Sequence, residues 1–180
     1  GGNGFKIEGS SDTIYSGNTS NNIIAGDIAG SGRYALVTET QGYPSSLSVY
    51  LTDNTVQYKY DFSEYYVTDI SLNSDGTRAA VSGITAKDGG IVSAVYIFDF
   101  SNPEPISILT YNEVLMEKVE YMDNGTVAAI GDTTTSMING TTGEKVDYNY
   151  QSRQMTDYAI DKNRVALALT PYDNQSASKL

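Results

Sequence analysis

"VTDISLNSDGTRAAVSG", residues 67–83, decides how the chain is read. Ser71, Asn73 and Asp75 place oxygen side chains at alternate residues ahead of Gly76, as a calcium loop does. An EF-hand-type loop, however, needs an acidic first ligand and a bidentate Glu at its twelfth position. Those positions hold Ser71 and Ser82, and neither brings charge. The competing reading is a β-hairpin. Apolar residues alternate on both sides of an Asp-Gly turn, the dipeptide that accepts positive φ most readily.

The hairpin reading extends to the rest of the chain, because the layout recurs. "AGDIAGSGRYALVTE" (25–39), "EKVEYMDNGTVAAIGD" (117–132) and "MTDYAIDKNRVALAL" (155–169) repeat the strand–turn–strand pattern without the ligand oxygens. The four turns centre on Gly32, Gly76, Gly125 and Asn163, a spacing of about 40–50 residues. Further alternating stretches fill each interval: 47–51 and 56–62, then 92–100 and 106–111, then 135–138 and 145–150. Four short strands per unit at that period are the mark of β-propeller blades. The expectation is an all-β, β-propeller-like domain with four-stranded blades of the WD40/YVTN type. Its units are an N-terminal outer-strand segment (1–24), blades at 25–66, 67–116 and 117–154, and a partial blade at 155–180. Propellers close with about four to eight blades. Three blades and a partial one therefore imply a fragment of a longer propeller, or a ring completed by a second copy.

Composition narrows the chemistry. The chain carries 22 acidic residues against 11 basic ones, a net charge of −11, with no basic run. Nucleic acid and anionic lipid surfaces select for Lys/Arg clusters and are poor partners for such a chain. It has neither His nor Cys, which rules out imidazole bases, thiolate nucleophiles, disulfides and the usual zinc sites. No cofactor and no metal is implied. No apolar stretch reaches the roughly 18 residues that a membrane-spanning helix needs.

"IIAGDIAGSGRYALVTET", "YYVTDISLNSDGTRAAVSGI", "VYIFDF" and "YMDNGTVAAIGD" together resemble an uncharacterised family of Gram-positive surface proteins. The resemblance implies an extracytoplasmic, cell-surface propeller held to the membrane by an upstream anchor. It brings no catalytic residue with it.

Two groups are candidates for function. Asp27, Asp69 and Asp157 stand near the start of the first strand of three hairpins, and Lys118 interrupts the series. They form either an acidic collar for a cation, a cationic peptide or a sugar, or a set of side-chain acceptors that fasten backbone at the strand starts. The tyrosines of "YKYDF", "SEYYVTD" and "DYNYQ", with Tyr66 and Tyr158 beside the collar, either form a recognition surface or pack between blades. The leading expectation is a non-enzymatic module that binds a protein, peptide or glycan. The alternative is a glycan-active enzyme working through paired carboxylates.

Overall fold

The computed structural model describes residues 2–171, and these contain sixteen strands and no helix. The repeats become three four-stranded antiparallel sheets. The first contains β3 (Ile23–Ile28), β4 (Tyr34–Thr40), β5 (Tyr43–Tyr50) and β6 (Val56–Phe62). The second contains β7 (Tyr66–Leu72), β8 (Arg78–Lys87), β9 (Gly90–Asp99) and β10 (Ser107–Asn112). The third contains β11 (Met116–Tyr121), β12 (Thr126–Gly131), β13 (Thr134–Asn139) and β14 (Lys145–Asn149). In each, strand order follows chain order, the meander of a propeller blade. Two hairpins flank them: β1 (Gly4–Glu8) with β2 (Thr13–Asn18), and β15 (Arg153–Asp161) with β16 (Arg164–Pro171). The first 24 residues thus supply two strands paired to each other, where a single outer strand was expected. The part of the expected partial blade from residue 172 onward lies outside the described residues.

The opening turn satisfies itself. Asp75 accepts hydrogen bonds from the Thr77 N–H and hydroxyl, and Asn73 Oδ1 accepts from the Thr77 and Arg78 N–H groups. Those bonds from Thr77 hold the Asp75 carboxyl below the usual carboxylate range. Gly76 has φ +70°, and a Cβ there would lie 2.7 Å from Arg33 Cβ. The oxygens that suggested a metal loop are spent on the turn's own backbone.

Packing between blades follows from the two-residue period of the strands. On β8, Ala79 and Val81 join an apolar cluster with blade one, while Ala80 joins a second cluster with blade three. Each middle strand therefore buries both faces. Tyr58, Tyr65 and Tyr96 pack with Phe62, Phe98 and Phe100 in the first of these clusters. The expected choice between packing and display is thus divided among the tyrosines. Tyr58, Tyr65 and Tyr150 are buried, whereas Tyr66 and Tyr148 are 62% and 50% exposed.

Two serines fasten the blades at one end. The fully buried Ser45 and Ser93 accept the N–H groups of Val67 and Met116 at 3.1 and 3.0 Å. Register makes the two bonds equivalent: each joins the third strand of one blade to the first strand of the next. Ser93 also donates to the Val114 carbonyl. Ser93→Ala removes the partner of a buried N–H and of a half-buried carbonyl. It is expected to lower stability by about 2 kcal/mol, whereas Ser16→Ala on the exposed β2 changes little, as urea unfolding of the two variants would show.

Candidate functional site

The inner strands β3, β7, β11 and β15 share one irregularity. Each carries a β-bulge near its start, with Ile24, Thr68, Glu117 and Thr156 as the extra residues. All four extra residues are exposed. Pairing with the second strand then sets the register of everything beyond. Ala25, Asp69, Lys118 and Asp157 occupy the step after the bulge. Asp27, Ser71, Glu120 and Ala159 occupy the step two residues on. Asp69 and Asp157 are therefore true equivalents, while Asp27 lies two residues deeper along its strand. Lys118 takes the place of an acid in blade three.

The contacts show what these side chains do. Asp27 Oδ2 accepts the Leu72 N–H at 2.7 Å, and Ser71 Oγ accepts the Tyr121 N–H at 2.9 Å. These two bonds are equivalent, since Leu72 and Tyr121 hold the same register position in successive blades. Asp69 Oδ2 accepts the Val119 N–H at 3.0 Å and pairs with the Lys118 ammonium at 3.2 Å. Lys118 also lies 3.7 Å from Glu120. The backbone acceptor role foreseen for the aspartates is present, but the N–H groups belong to the neighbouring blade's inner strand and not to a loop. Asp157 is exposed and, among the described residues, accepts only the adjacent Tyr158 N–H. Tyr158 is 36% exposed, and Tyr66 stands clear at the first residue of β7.

Charge on this face is coupled. Burial pushes the Asp27 carboxyl above the usual carboxylate range, against the pull of the Leu72 N–H and of Lys118. Burial works against the Lys118 charge, but Asp69 and Glu120 outweigh it and hold the amine above the ordinary lysine value. Among the described residues, no group of three or more acidic side chains is placed to hold a metal ion.

Sequence reasoning missed three fasteners. Ser93 sits in a largely apolar strand, and Ser45 is one of three serines in its own, so neither stands out by its spacing. Arg78 bridges blades two and three, donating to Asp99 at 2.7 Å and to the Gly140 carbonyl at 3.1 Å. Only a structure could join Arg78 to residue 140.

Three stacked antiparallel meanders, fastened through their inner strands, define the class: this is a β-propeller-like protein. The chain belongs to the family of unknown function DUF5711, whose model matches residues 1–180. No curated protein matches it. Solved structures of similar fold include the dihydro-heme d1 dehydrogenase NirN in complex with DHE, a β-propeller, at 9% identity and a TM-score of 0.60. That match covers 87% of this chain and 34% of NirN. KlHsv2 with loop 6CD replaced by a Gly-Ser linker matches at 10% identity and a TM-score of 0.56, over 83% of this chain and 45% of its own. A eukaryotic initiation factor matches at 11% identity and 0.55, over 72% and 32%. The chain thus spans less than half the length of these structures, and at such identities the likeness concerns fold alone.

Asp27→Ala strands the Leu72 N–H and is expected to cost about 1–3 kcal/mol. Asp27→Asn keeps an acceptor oxygen and removes a buried charge, so at neutral pH it is expected to match or exceed the parent in stability. The folded state holds the Asp27 proton more tightly than the unfolded state, so the charge opposes folding above the folded pKa. That cost disappears as the pH falls past it. Urea unfolding of the parent and the Asn variant between about pH 7 and pH 4 should show their difference narrowing on acidification.

Proposed function

We propose that the chain is a non-enzymatic binding or scaffold module of the cell surface, extracytoplasmic and anchored from outside this sequence, which recognises a protein, peptide or glycan. One observation carries this reading. Asp27 and Asp69, two of the acids that could do chemistry, are employed as fasteners, while Tyr66 and Gln154 stand exposed at the rim where the inner strands begin. Asn22, Tyr66, Leu115 and Gln154 each stand two residues before the extra residue of a bulge; Asn22 donates to Glu39 at 2.9 Å, and Tyr66 offers an open ring with a hydroxyl. An exposed tyrosine on a polar rim suits sugars and peptides, since the ring stacks while polar groups select. The net charge of −11 supports cationic or neutral ligands over nucleic acid.

A second reading rests on Asp27, whose carboxyl burial raises it in the direction an acid catalyst requires. On that reading Asp27 and Asp69 act as paired carboxylates in glycan cleavage.

Titration calorimetry of the chain against peptidoglycan fragments, soluble glycans and Lys/Arg-rich peptides separates the two. The binding reading expects a stable complex with one class. Tyr66→Ser should then weaken it about tenfold without moving the unfolding midpoint, because Tyr66 is exposed. Asp69→Ala should lower stability before it lowers affinity. Cleavage of a glycan without a stable complex, abolished in Asp27→Asn, would overturn the binding reading in favour of the second.

A further inference from the structure

The two flanking hairpins are complementary halves of a blade. β15 and β16 repeat the first two strands of each blade, including the bulge and the register beyond it. β1 and β2 precede β3 and lie against blade one as the last two strands of a preceding blade would. Phe5 packs against Tyr34 at 5.7 Å, and the Gly2 carbonyl accepts the Ile23 N–H at 2.8 Å. Ile23 is the register equivalent of Val67 and Met116, whose N–H groups go to Ser45 and Ser93 of the preceding blade. Among the described residues, β1 pairs only with β2 and β16 only with β15.

Both ends of the repeat expose positions that are buried elsewhere in it. Ala35, Ala80 and Ala128 are equivalent and fully buried, yet their counterpart Ala166 is exposed. Val37, Ser82 and Ile130 are likewise fully buried, and their counterpart Ala168 is exposed. At the opposite end, Leu72 and Tyr121 are 6% and 8% exposed, while the equivalent Ile28 is 49% exposed. Ile28, Leu36 and Phe5 line a cleft of about 530 Å³ between β1 and the β3–β4 hairpin. This cleft is where the inner pair of the preceding blade would stand.

We propose that a second copy of this chain fills it. The β15–β16 hairpin of one copy enters the cleft of the other, and β16 adds to β1 as an antiparallel neighbour, making one complete four-stranded blade from two chains. The faces fit as they do inside the chain. At the first junction Ala35 and Val37 meet Ala79 and Val81. Here the small Ala166 and Ala168 meet Tyr34 and Leu36, the register equivalents of Ala79 and Val81. Asp157, the counterpart of Asp69, gains the N–H of Gly26, the counterpart of Val119, as its acceptor bond. Applied reciprocally to the described strands of two copies, the same step makes eight four-stranded sheets, three whole and two shared halves from each. A net charge of −11 on each copy opposes this association and makes it salt-assisted.

Sedimentation equilibrium of the 180-residue chain tests the proposal. The expected result is a species of twice 19.4 kDa at micromolar concentration, tightening with salt. Ala166→Arg and Ala168→Arg alter only exposed positions of the single chain. Each should give a monomer with unchanged circular dichroism. Hydrogen exchange in the parent should show the β1 and β16 amides protected, and that protection should vanish in the arginine variants. A monomer at several hundred micromolar overturns the proposal, and points instead to a hairpin supplied from elsewhere in a longer polypeptide. A dimer indifferent to both arginines overturns it equally.

Discussion

An inner strand of this fold pairs with a neighbour along one edge only, and the backbone donors of the other edge must be met by something else. Unmet, each would cost about as much as a lost buried hydrogen bond. Here the preceding blade meets them with side chains: Ser45 and Ser93 at one end, Asp27 and Ser71 at the other, and Asp69 between. Apolar packing brings the sheets together, since Ala79, Val81 and Ala80 are buried between blades whichever way they point. Such packing is tolerant of small slides. The directional bonds fix how far one sheet slides on the next, and with it the alignment of every side chain facing the centre.

That division of labour explains the electrostatics. Asp27 pays a desolvation cost to act as an acceptor, and Ser71 fills the same place in the next blade without charge. Asp69 has Lys118 as its neighbour, so the acid and the base that look like departures from a repeat form one neutralised pair. A row of identical acids along the inner strands would repel itself. In the deeper row Ser71 stands between Asp27 and Glu120 and accepts without charge, and in the row before it Lys118 stands between Asp69 and Asp157 and offsets theirs.

Much of the architecture was legible in the sequence because turn chemistry and two-residue alternation are local signals. The hairpins at Gly32, Gly76 and Gly125 needed nothing distant to be recognised. The aspartates were harder. Asp27 and Asp69 look alike when each is read as an acid near the start of a strand, yet they lie five and seven residues before their turn glycines. The turns also differ in length, closing between Ala29 and Arg33 in one blade and between Asn73 and Arg78 in the next. The tyrosines resisted assignment because adjacent ones part company: Tyr65 is buried in the aromatic cluster while Tyr66 faces out. Only the packing of the neighbouring blade decides between them.

The extra residue in each inner strand acts as a phase slip. Val67 and Ile70 enter the same apolar cluster although three residues apart, as do Met116 and Val119. In an unbroken strand, residues at that spacing would point to opposite sides. The rim before the slip and the strand beyond it therefore run on separate clocks. Side chains such as Asn22, Tyr66 and Gln154 can be exchanged for other chemistry while the buried sequence behind them keeps its own beat, which allows one scaffold to carry many different rims.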